Sequence, residues 1–240
     1  MAQIRRPITQ DERKAKATAW ALTFADMVTL LLTFFVLLLV MLNDADEHID
    51  NIINKLLDET YEELKDNVIS SEVSVKRVTK GIKITMRGRL FKSMSADVDP
   101  KVLPLLSQIG AIIRSSKIIG VSNNPDYRYL LDEIEKRNSL LNVEVRCEGH
   151  TDDLKLPKTA EYPSNWELSS ARSLNFVRLL SRYAKMPQNL FSAMGYGEFR
   201  PVINVKELKN KKDINEARAQ NRRVEIYLDA FLKNKTEFKI

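Results

Sequence analysis

TrpAlaLeuThrPheAlaAspMetValThrLeuLeuLeuThrPhePheValLeuLeuLeuValMetLeu, residues 20–42, is a run of 23 residues with one formal charge, Asp26. As a helix rising about 1.5 Å per residue it is roughly 34 Å long, against a hydrocarbon core of about 30 Å. It exceeds the apolar core of a signal peptide, and no small-x-small cleavage pattern follows it. A carboxylate inside hydrocarbon costs roughly 2.5 to 3.5 kcal/mol on insertion scales, so a membrane helix that carries one turns it toward protein or water and uses it. Ion or proton handling is therefore the first hypothesis for Asp26. Thr23, Thr29 and Thr33 can offer hydroxyl oxygens to a cation or a water chain, or can bond their own helix carbonyls. Trp20 reads as an interfacial anchor.

Arg5, Arg6, Arg13, Lys14 and Lys16 precede the run and Asp44, Asp46, Glu47 and Asp50 follow it. The basic flank stays in the cytoplasm, which gives an N-terminus inside and a C-terminus outside. The organisation expected is a basic tail over 1–17, a transmembrane helix over 18–42, a linker over 43–71 and a globular domain over 72–240. With 29% charged residues and a formal charge of +6, the basic residues are dispersed among acids, so a nucleic-acid partner is not expected. The single cysteine, Cys147, sits in an alternating stretch and reads as a packed thiol.

In the linker, Ile49, Ile52, Ile53, Leu56, Leu57, Tyr61 and Leu64 recur at steps of three and four between acidic residues. This predicts an amphipathic helix: a stalk, a dimer seam or a flap over a channel mouth. Residues 73–79 and 82–86 alternate with period two around Lys80-Gly81, which predicts an antiparallel hairpin. Pro100 opens a helical pattern through Ile113, ValGluValArgCysGlu (143–148) predicts a strand, 166–184 a helix with a wide apolar face, and 222–228 a closing strand. The fold class is α+β, a sheet covered on one face by helices. AsnAsnProAsp within the 117–138 stretch predicts a turn and then a short helix.

The 20–38 segment resembles the membrane segment of flagellar stator B subunits of the MotB and PomB type. GluGlyHisThrAspAsp (148–153), SerAsnTrpGluLeuSerSerAlaArg (164–172), GlyTyrGlyGluPheArgPro (195–201) and AsnArgArgValGluIle (221–226) resemble the OmpA-like peptidoglycan-binding domain of the same proteins, an α/β sandwich. The resemblance implies a homodimer whose membrane helices sit inside a pentameric ring of A-type subunits in the bacterial inner membrane. It places Asp26 at the site of the travelling ion, H+ or Na+, and implies no cofactor. It also implies that Asp152 and Arg172 grip the zwitterionic end of diaminopimelate in the peptidoglycan stem, since a carboxylate pairs with an ammonium and a guanidinium forks onto a carboxylate. Asn165 and one of Arg222 and Arg223 can add hydrogen bonds, the two arginines pointing to opposite faces of a strand. Ser164 and Glu167 have the spacing of a capping box. The segment 117–138 has no counterpart among the motifs of the family, and the linker is short for a flagellar subunit, which leaves room for a non-flagellar motor of the Zorya anti-phage type or for a passive wall tether. His150 reads as structural, with His48 the only other histidine. No metal cluster is expected and no nucleophile has a base and orienting partner, so the chain is not expected to be an enzyme.

Overall fold

The computed structural model describes residues 9–92 and 94–235, with the side chains of residues 12, 15–17 and 42–47 left aside. Arg5 and Arg6, two of the basic flank's three arginines, fall outside the described residues, as do the side chains of Lys16, Asp44, Asp46 and Glu47. The chain divides into two compact units, Met1–Asp50 and Asn51–Ile240.

Helix α1 runs Gln10–Asn67. Within it, Thr18–Met41 is long and apolar enough to cross a membrane, with a mean hydropathy of 2.5 and no part buried against protein. Thr23 Oγ1 donates to the Trp20 carbonyl at 2.8 Å, and Thr29 Oγ1 to the carbonyls of Ala25 and Asp26 at 3.0 and 2.9 Å. Thr33 does the same toward Leu30. The threonine hydroxyls thus satisfy their own helix, the second of the two roles open to them, because an oxygen lacking water in an apolar run finds its nearest acceptor one turn back.

The second unit is a five-stranded sheet in the order β1-β2-β5-β3-β4. Strands β1 (Val73–Val78) and β2 (Gly81–Arg87) form the predicted hairpin, with Val78 paired to Gly81. β5 (Arg223–Asn234) lies antiparallel between β2 and β3 (Ser139–His150), and β4 (Phe191–Gly195) adds a parallel edge. One sheet face is apolar: Ile82, Ile84 and Met86 sit opposite Leu228, Ile226 and Val224, which sit opposite Val145, Cys147 and Gly149. Helices α2 (Leu103–Ser115) and α5 (Asn165–Ala184) cover this face with Leu106, Ile109, Leu168, Phe176 and Leu180, all buried. Cys147 lies in this core, and burial pushes its thiol up to about 12. The 117–138 stretch forms α3 (Lys117–Gly120) and α4 (Arg128–Lys136), and α4 buries Leu130 and Ile134. Helix α6 (Lys211–Asn221) leads into β5.

The boundary expected near residue 72 falls earlier. From residue 51 the last turns of α1 belong to the globular unit, where Ile53, Leu56, Leu57, Thr60 and Leu64 are buried. Arg77 on β1 holds them through Asn54 at 2.7 Å and Asp58 at 2.7 Å, Lys117 pairs with Glu59 at 2.7 Å, and Gln108 Nε2 donates to the Asn67 carbonyl at 2.8 Å. The periodicity that suggested a stalk is that of a helix whose apolar stripe is used up inside its own domain.

Candidate functional site

The end of β3 and the loop after it carry the site. Thr151 N donates to the Gly197 carbonyl at 2.9 Å and Tyr196 N to the Gly149 carbonyl at 3.0 Å, which ties the loop to the turn after β4. Gly149 and Gly195 are paired across β3 and β4. A Cβ on Gly149 would meet the Ser169 carbonyl, and one on Gly195 the Ser170 hydroxyl and amide. The glycines and the small Ser169-Ser170 pair therefore let α5 approach the sheet closely, and that approach sets the depth of the cleft above it.

Asp152, Asn165, Arg172 and Arg222 line one cavity of about 710 Å³. Asp152 Oδ1 accepts from the Leu154 amide at 3.1 Å, and Oδ2 accepts from Arg222 Nη1 at 2.6 Å. Arg218 on α6 grips the neighbouring Asp153 through Nε at 2.7 Å and Nη2 at 2.9 Å. The N-terminus of α5 is capped by Ser164, whose Oγ accepts from the Trp166 amide at 3.1 Å and also bonds Glu167. Asn165 Nδ2 donates to the Leu154 carbonyl at 3.0 Å and to Glu198 Oε2 at 2.7 Å. Its Nδ2 thus fastens the walls of the cleft together, while the residue still lines the cavity.

Arg172 lies two turns along α5. Its Nε donates to the Ser95 carbonyl at 3.0 Å, and its guanidinium sits 4.6 Å from the centre of the Phe91 ring. Burial lowers its proton affinity to about 10, with Asp152 opposing that shift and Arg222 adding to it. The cleft therefore holds a desolvated cation near a carboxylate, a pair of charges matched to a zwitterion. The Thr151 hydroxyl, also in the cavity wall, is buried with no partner among the described residues.

Arg223 also borders the cavity, but its guanidinium pairs on the other sheet face. There Glu148 on β3 stands directly opposite Glu225 on β5, with His150 two residues further on. Arg223 Nε donates to Glu225 at 2.7 Å, Tyr227 Oη donates to Glu225 at 2.7 Å, and Arg146 bonds both Glu148 and Asp229. Glu148, His150 and Glu225 place one ligand-type atom each within 4.8 Å of the others, a grouping not expected from sequence because it is assembled from two strands far apart in the chain. Its carboxylates already have cationic partners in Arg146, Arg223 and Lys83, which gives the grouping the character of a buried charge network. Burial raises Glu225, but bonds from Arg223 and Tyr227 outweigh this and hold it at about 2. Burial, reinforced by Arg223, lowers His150 to about 4, so the ring is neutral and stacks on Tyr196 with centroids 5.4 Å apart.

The chain thus joins an apolar helix long enough to span a membrane to an α+β domain with a charged cleft. Residues 5–59 match the family model described as the membrane MotB of the proton-channel complex MotA/MotB. The chain is 31% identical over 166 residues to Motility protein B of Bacillus subtilis, a match covering 69% of this chain and 51% of that protein, about half its length. It is 27% identical to the uncharacterised protein YtxE of the same organism over 88% of each. The fold is shared with a putative MotB-like protein of Desulfovibrio vulgaris at a TM-score of 0.53 and 21% identity, over 76% of this chain and 94% of that one. The chain is thus similar to MotB-type proteins, through its membrane segment and over 166 residues of sequence.

Proposed function

We propose that this chain is the B-type subunit of an ion-driven membrane motor, conducting H+ or Na+ past Asp26 while its cleft holds peptidoglycan. The observation that carries this reading is Asp26 itself, a lone carboxylate in the 18–41 apolar span and inside the 5–59 segment matched by the proton-channel family model. Neutralising that carboxylate, by a proton or a coordinated sodium ion, changes the local charge by one unit in a low-dielectric site. The membrane potential supplies about 2.3 kcal/mol per elementary charge per 100 mV to bias the step that follows. Two copies of the chain inside a pentameric ring of A-type subunits would supply two such carboxylates. The N-terminus lies in the cytoplasm and the domain outside the inner membrane, where the stem peptide's ammonium meets Asp152 and its carboxylate meets Arg172.

Asp26→Asn is the test. The amide keeps the shape of the side chain but cannot alternate between charged and neutral, so the variant assembles with A-type subunits and gives no motor output. Torque or ion flux close to that of the unaltered chain would remove the ion-coupling role and leave a passive tether.

A further inference from the structure

An exposed aromatic pair stands beside the cleft. Trp166, in the first turn of α5, and Phe199, in the turn after β4, are 46% and 63% exposed. Their rings stack on each other with centroids 5.2 Å apart and planes 26° apart. Two large aromatic side chains left half in water forgo apolar burial, and exposed apolar groups in contact mark interaction sites. The pair is also fixed to the cleft. Asn165 and Glu198, the residues immediately before Trp166 and Phe199, are joined by the 2.7 Å bond from Asn165 Nδ2, and Asn165 lines the cavity. The platform and the charged cleft are thus two parts of one continuous surface.

A rigid stacked pair with an electron-rich outer face suits a ring that presents a row of C–H groups between polar substituents. We infer that Trp166 and Phe199 form a sugar-stacking platform, holding a pyranose ring of the wall glycan while the cleft holds the peptide branching from it. The inference rests on the wall-binding reading and adds to it that the glycan is bound as well as the stem. It also accounts for a cleft whose capping residue, fastening amide and aromatic face are three consecutive residues, Ser164, Asn165 and Trp166.

The experiment is a titration of the full chain in detergent with three probes: a diaminopimelate-containing stem peptide, the same peptide on its disaccharide, and glycan chains freed of peptide. The unaltered chain binds the disaccharide-peptide about tenfold more tightly than the peptide, the gain expected of one or two aromatic stacks. Trp166→Ala and Phe199→Ala erase that advantage and leave affinity for the bare peptide unchanged. Phe199→Leu, which keeps an apolar group without the ring, gives the same result and excludes a folding effect. Equal affinity of the unaltered chain for the first two probes overturns the proposal, as does an equal loss for both in Trp166→Ala. Failure of the cleft reading looks different: Arg172→Ala would then leave peptide affinity untouched, while peptide-free glycan would still bind through the rings.

Discussion

Arg222 donates to Asp152 at 2.6 Å, so the carboxylate on which an incoming ammonium would land already carries a cation. The side chain of Arg222 is 45% exposed, whereas that of Asp152 is 11% exposed. The arginine is thus the more solvent-accessible partner, and its bond orients the carboxylate.

A partly exposed pair of this kind is worth about 0.2 to 1 kcal/mol. Arg222→Gln should therefore tighten binding of a free zwitterion such as diaminopimelate by about twofold to fivefold. Asp152→Ala should weaken it by tenfold or more, since the ligand ammonium loses the carboxylate with which it would pair. Calorimetric titration of both variants, with circular dichroism as a check on folding, tests this. Weaker binding in Arg222→Gln would make the arginine a direct ligand contact.

The buried His150 ring makes stability depend on pH in a defined window. Its folded value of about 4 lies below the ordinary 6.5, with burial first and Arg223 second among the causes. The neutral form is therefore favoured by the fold. As pH falls below about 6.5 the unfolded chain binds a proton that the native ring refuses until about pH 4, so stability is full above that window and is lost within it, by about 3 kcal/mol at most. Glu225, held at about 2, contributes its loss only below the ordinary carboxylate range and does not account for the upper window. Thermal unfolding between pH 7 and 4 should show the decline, and His150→Gln should flatten it.

Much of this was legible in the chain. The hairpin followed from alternation about Lys80-Gly81, the α5 cap from Ser164, and the convergence of Asp152, Arg172 and Arg222 from motif resemblance. Three features were not. β4 is five residues long and reads PheSerAlaMetGly, without the alternation that marks a half-buried strand. The Glu148–Glu225 layer depends on register between strands far apart in the chain, which local pattern does not encode. The linker's periodicity announced a buried stripe but could not say what buries it, because a stripe of leucine and isoleucine fits a second copy, a membrane surface or its own domain equally well.

Gly149 offers a test of the close approach between α5 and the sheet. Gly149→Ala puts a methyl group against the Ser169 carbonyl, which is backbone and cannot rotate away. The helix must lift, at a cost of about 1 to 3 kcal/mol. Because Arg172 rides on the same helix, ligand affinity should fall along with stability, measured by denaturant unfolding and peptide titration. A variant that is destabilised but binds normally would show that the cleft tolerates the shift.

The last turns of α1 carry a prediction that also bears on the channel. Leu57 and Leu64 are fully buried, at 0% exposure, together with Ile53 and Leu56. Leu57→Ala should therefore cost about 2 to 5 kcal/mol, the range for a leucine removed from a packed core. A soluble fragment beginning at residue 51 should unfold at a distinctly higher urea concentration than one beginning at residue 72, which loses the whole stripe and the Arg77 pairs with Asn54 and Asp58. The same burial changes what a deletion of residues 46–60 would report. Removing them would strip Ile53, Leu56, Leu57 and Thr60 from the domain, so an ion leak in that strain would mix the loss of a plug with the loss of the anchor's core. Aspartate at Leu57 separates the two, since it expels the tail from the core while keeping the chain length. If the tail serves only as part of the domain core, Leu57→Asp lowers domain stability without cytoplasmic acidification or sodium entry. A leak in that variant, at unchanged domain stability, would make the segment a plug.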